Sequence, residues 1–123
     1  MNIASLRRLG VIALICIAPA TAARADETGD RQARAADFAT CAAYYFNAVN
    51  VRPVTEYEAV YGRGERAFNE AVKLVGRRQV DDLMARTSGQ MMKFMASDWK
   101  NFASVEKRYS AQCEVLMVSL PAQ

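Results

Sequence analysis

The side chains of this chain that could do chemistry are two of its three cysteines, a stripe of methionines and a group of aromatics. Cys41 and Cys113 stand about 70 residues apart. Two cysteines at that distance in an exported chain pair most simply as one structural disulfide, which the chain-entropy account values at on the order of 4 kcal/mol. A redox-active pair would sit in a C-x-x-C turn, and these two do not. Met84, Met91 and Met95 fall on one helical face. Thioethers are soft ligands for Cu(I), and they also fill irregular cores. The stripe reads as core, with Cu(I) carriage as its rival. Tyr44, Tyr45 and Phe46 are consecutive, so a single helix cannot turn all three inward. Tyr45 suits the core face. Tyr44 and Phe46 are expected at a rim and, with Tyr57 and Tyr61, form the candidate ligand or partner surface.

No histidine occurs anywhere in the chain. That excludes Ser-His-Asp triads, Cys/His zinc sites and histidine-ligated haem. Gly62-Arg63-Gly64 is too short for a phosphate loop. Carboxylates are the remaining enzymatic option, for example Glu65 with Asp98 brought together from separate helices. Neighbouring acids such as Glu56 with Glu58, or Asp81 with Asp82, diverge. No catalytic constellation, metal site or cofactor is therefore assigned.

The elements that must carry these residues are helices, since no stretch sustains a strand-like alternation. Phe38, Cys41, Ala42, Tyr45 and Val49 recur at three- and four-residue steps, one amphipathic face of a helix from Arg31 onward. Asp26–Asp30 is polar and expected to fray. Val51-Arg52-Pro53 ends the helix. Thr55 and Glu58 spell a capping box for a second helix, with Tyr57, Tyr61, Phe68, Val72 and Val75 on one face and Gly76 as its C-terminal stop. Gly62 and Gly64 inside it mark either a close helix approach or a kink. A third pattern starts near Val80, with Asp81 and Asp82 in its first turn and Ser88-Gly89 as a possible interruption. Trp99, Phe102, Val105, Tyr109, Cys113, Leu116 and Leu120 make the last face, opened by Asp98 as N-cap. Residues 80–120 could form two helices or one bent one. The expected fold is all-α, a small antiparallel bundle of three or four helices with one disulfide.

The N-terminal segment belongs to targeting. Arg7 and Arg8, an apolar run from Leu9 to Ala18, and Ala23-Arg24-Ala25 have the layout of a cleavable signal peptide. Residues 1–25 are read as the signal and 26–123 as a single helical domain. Cys16 follows Ile15, not the small residue a lipobox requires. The protein is expected to be exported, periplasmic in a Gram-negative host and otherwise secreted, with no stable membrane anchor once the signal is removed. The whole chain carries a formal charge of +3, but Arg7, Arg8 and Arg24 leave with the signal, so residues 26–123 are neutral. No basic footprint for nucleic acid follows. Arg77-Arg78 and Lys107-Arg108 read as solvated surface.

In outline the chain resembles small exported bacterial helical proteins with one disulfide, the periplasmic acid-stress chaperones among them, although it carries none of their sequence motifs. The leading expectation is a non-enzymatic protein that binds another protein, as an inhibitor, adaptor or protective chaperone. The alternative is a small-ligand or Cu(I) carrier using the methionine and aromatic faces.

Overall fold

The structure is a computed structural model that describes residues 20–122, with side-chain detail from Asp26 onward. Residues 1–19 of the expected signal lie outside the described residues. Four α-helices follow one another: α1 (Ala20–Ala48), α2 (Tyr57–Val75), α3 (Arg77–Phe94) and α4 (Phe102–Val118). Short 3-10 turns at Val54–Glu56 and Trp99–Asn101 precede α2 and α4. The described residues hold no strand, and none of their helices is long and apolar enough to cross a membrane.

α1 is the helix around which the others pack, and it contacts all three. The five successive residues Cys41, Ala42, Ala43, Tyr44 and Tyr45 are all buried. Five residues at 100° each go round the whole helix, so this stretch has no solvent face. The single amphipathic face expected from the sequence is thus corrected: apolar burial wraps α1. Alanines at 35, 39, 42, 43 and 48 are also buried, and small side chains let neighbouring helices approach from several directions. Asp26–Asp30 is helical rather than frayed, although its side chains are exposed.

The second helix departs from its expected start. Thr55 lies in the 3-10 turn, the N-cap of α2 is Glu56, and no side-chain cap hydrogen bond forms there. Pro53 (φ −55°, ψ 146°) sets an extended entry that leads into a 3-10 turn, which displaces the capping box. The buried residues of α2 are Val60, Gly64, Ala67 and Ala71, a face rotated from the expected one. Phe68, Val72 and Val75 pack at its edge. Small residues facing an alanine-rich α1 let the two helices close together; the larger ones flank the contact. Gly76 stops α2 as expected, with φ 84° and its N–H donating to the Val72 carbonyl. α3 begins at once, so its first turn is Arg77–Val80 and holds no acid; Asp81 pairs instead with Arg77 at 3.8 Å. Ser88-Gly89 does not interrupt α3.

The ambiguity over residues 80–120 resolves as two helices. Ala96 donates to the Lys93 carbonyl and Ser97 to that of Met92, the paired bonds of a Schellman stop. The position that usually holds glycine is Ala96, at φ 50°, followed by Ser97 at φ 57°. Left-handed backbone costs a non-glycine residue about 1–2 kcal/mol. Ala96→Gly is therefore expected to raise the unfolding free energy by about 1 kcal/mol in urea denaturation. An unchanged or lower midpoint would contradict the account. Asp98 caps the 3-10 turn rather than the last helix, accepting from the Lys100 N–H at 3.0 Å, and α4 starts from Asn101 without a side-chain cap bond.

Cys41 and Cys113 lie with sulfurs 2.14 Å and Cα atoms 5.3 Å apart, at disulfide distance. They join the first helix to the last, and both are at most 1% exposed.

Candidate functional site

The aromatic residues singled out in the sequence divide into two groups. Phe46 on α1 meets Tyr61 on α2, ring centroids 5.2 Å apart. Tyr61 stacks on Tyr57 at 5.6 Å and 9°, as a separation of four residues on one helix allows. The three rings form a continuous row. Tyr57 is 47% exposed and Tyr61 38%, while Phe46 is half-buried at the inner end. Tyr44 does not join them. Its expected place at the rim is corrected: it is 4% exposed and stacks on Phe102 of α4 at 6.1 Å. Packing on Phe102 buries the Tyr44 ring on the α4 side of α1 and keeps it out of the row.

Gly64 makes the row possible. A Cβ there would stand 2.7 Å from the Phe46 ring, whereas one on Gly62 would meet nothing within 4 Å. The close approach is thus at Gly64 alone. Gly62→Ala is expected to stabilise the fold by about 1 kcal/mol through helix propensity. Gly64→Ala gains the same propensity but overpacks the ring, at about 1–3 kcal/mol, so it should melt below Gly62→Ala. Equal melting temperatures for the two variants would remove the special role of Gly64.

Beside the row lies a recess of about 390 Å³ between α2 and α3. Phe46, Tyr61, Phe68 and Met84 supply apolar surface, and Glu65, Asn69, Arg77 and Asp81 supply polar groups. The lining is thus evenly mixed, a surface suited to an amphipathic side chain of a protein partner. Met84 is at this edge, half-buried, whereas Met91 and Met95 are wholly buried in the core. Asn47 Nδ2 donates to Met91 Sδ at 3.7 Å. The sulfurs at 91 and 95 are thus committed to packing. Among the described residues no group of three or more His, Cys, Asp or Glu side chains could hold a metal ion. Glu65 lines the recess while the Asp98 carboxylate caps a turn elsewhere, so the structure does not unite them as a carboxylate pair.

A second, polar trough was not evident in the sequence. It lies over Tyr44 and Tyr45, with Arg63 on one side and Glu114 on the other. Arg52 donates to Glu106 at its margin, and a wider recess of about 570 Å³ continues past Arg66 and Met117. Burial raises the hydroxyl pKa of both tyrosines above the ordinary 10.0. Arg52 opposes this at Tyr44, by charge and by a hydrogen bond, and Arg63 opposes it at Tyr45. A folded-state pKa raised above the unfolded value favours the protonated fold. Its contribution is intact below pH 10.0 and is lost as pH climbs through the raised value. Alkaline titration followed by tyrosinate absorbance and helicity is expected to show two tyrosines ionising late, with unfolding. Five tyrosines titrating together at the ordinary pKa, with helicity intact, would refute this.

The described residues thus form four α-helices with an aromatic row on their surface. No family model matches the chain, and no curated protein and no solved structure matches it either.

Proposed function

We propose that this is an exported, non-enzymatic protein that binds another protein through the Phe46–Tyr61–Tyr57 row. The observation that carries the reading is the continuity of the row. Two of its three rings are more than a third exposed, and the row adjoins a recess lined by apolar and polar side chains together. Tyrosine anchors offer large contact area with little rotamer entropy to lose, which is why they dominate protein interfaces. Export is part of the proposal. The N-terminal leader motif and a cysteine pair held at disulfide distance support it. An inhibitor, an adaptor and a protective chaperone would each use such a surface. The burial of Met91 and Met95 favours packing over Cu(I) carriage.

The test is photocrosslinking in the host. A photoreactive phenylalanine analogue at Tyr61 should yield one adduct of discrete mass. The same analogue at Lys73, exposed near the end of α2, should yield none. No adduct at Tyr61, or identical adducts from both sites, would overturn the proposal. The mass of the protein from the exported fraction also reads out signal removal: a species beginning at Asp26 is expected.

A further inference from the structure

We propose that the tip joining α3 to α4 docks on an anionic lipid surface. The tip carries two of the chain's exposed large apolar side chains, Phe94 at 44% and Trp99 at 37%. Four cations accompany them: Lys93, Lys100, Lys107 and Arg108 are all exposed, and none has an ion-pair partner among the described residues. The Arg108 guanidinium lies 4.5 Å from the centre of the Phe94 ring, tying the end of α3 to the second turn of α4. Lys100 lies in the 3-10 turn Trp99–Asn101, and Lys107 and Arg108 lie in the second turn of α4 that follows it. Of the two acids nearby, Glu106 is paired with Arg52, while Asp98 accepts from the Lys100 backbone N–H and keeps its own charge. The tip thus sets four cations against one unpaired carboxylate and is locally positive, although residues 26–123 are neutral as a whole.

The backbone presents this surface at a cost. Ala96 and Ser97 both hold left-handed φ, and the turn is fixed from within. Met95 is wholly buried, and Asn101 Nδ2 donates to its carbonyl at 3.0 Å. Trp99 follows directly and stacks on Phe102 at 6.3 Å, with its outer part exposed. Tryptophan favours the headgroup level of a bilayer, where an amphipathic ring has both an apolar and a wet side. Lysine and arginine beside it gain from anionic headgroups. The combination fits shallow adsorption, distinct from the aromatic row proposed to bind protein.

Trp99 is the chain's only tryptophan, so its emission reports this tip and not the apolar run near the N-terminus. The full chain is titrated with vesicles of phosphatidylcholine and phosphatidylglycerol in equal parts, with phosphatidylcholine vesicles and heparin as comparisons. A blue shift with the anionic vesicles, reversed by salt, is the expected result. The double variant Lys100→Gln, Lys107→Gln should lower partitioning about 25-fold, roughly fivefold per charge. Both side chains are exposed, so the variant retains the fold, which circular dichroism checks. No shift with anionic vesicles would overturn the proposal. An equal shift with phosphatidylcholine alone would overturn the charge argument on which it rests. Heparin binding without any vesicle-induced shift would assign the tip to soluble polyanions instead.

Discussion

Replacing Cys41 and Cys113 together by alanine is expected to remove about 4 kcal/mol from the unfolding free energy. The bond closes a loop of 72 residues, and the chain-entropy relation gives that magnitude at 25 °C. A domain of this size has about 5–15 kcal/mol in all, so the variant should lie near the edge of stability. Urea denaturation of the variant and of the parent, without reductant, measures the difference. Both cysteines are at most 1% exposed. A thiol reductant therefore reaches the bond only when α1 and α4 separate, and the rate of reduction should rise with urea as the rate of opening does. Equal denaturation midpoints for parent and variant would show that the cross-link carries no stability.

Phe38→Ala is expected to cost about 3–5 kcal/mol, the usual range for emptying a buried aromatic site. Phe38 is wholly buried one turn before the all-round stretch of α1, with the Arg34 guanidinium 5.8 Å from its ring centre. Large side chains from the other helices cannot easily collapse into the gap. They are held by their own backbones, and α1 offers mainly alanine methyls nearby. Phe94→Ala makes the contrast. That ring is 44% exposed and chiefly meets Arg108, so its loss should fall within about 1 kcal/mol. Thermal melts of both variants test the pair. Similar losses would mean that the core is not centred on α1.

The all-helical class was legible from local periodicity and the cysteine pair from cysteine count and expected compartment, while the number of helices stayed at three or four. Gly76 ends α2 by backbone chemistry that tertiary packing seldom overrides, whereas α1 stops at Ala48, five residues before Pro53. The faces were less legible. In α2 the large residues Tyr57, Tyr61 and Phe68 suggested the inner side, yet Gly64 and Ala67 occupy it. Apolar size predicts burial only when there is room, and the closeness of α1 left room for small side chains alone. Tyr44 was misplaced for a related reason: periodicity assumes one wet face, and a helix surrounded by three others has none there. The break between α3 and α4 falls on Ala96 and Ser97, where neither glycine nor proline announces it. The row itself was partly visible, since Phe46, Tyr57 and Tyr61 stood out by type. Their contact depends on the notch at Gly64, which only the packing of α1 on α2 reveals. The basic tip was hidden because its cations are spread across a turn that the sequence did not mark.

The span of the disulfide has a consequence for biosynthesis. Cys41 lies in α1 and Cys113 in α4, with α2 and α3 between them. As the chain is made, the two can pair only once all four helices have emerged. A product that stops short of α4 leaves Cys41 without Cys113. The bond thus acts as a stamp that all four helices are present.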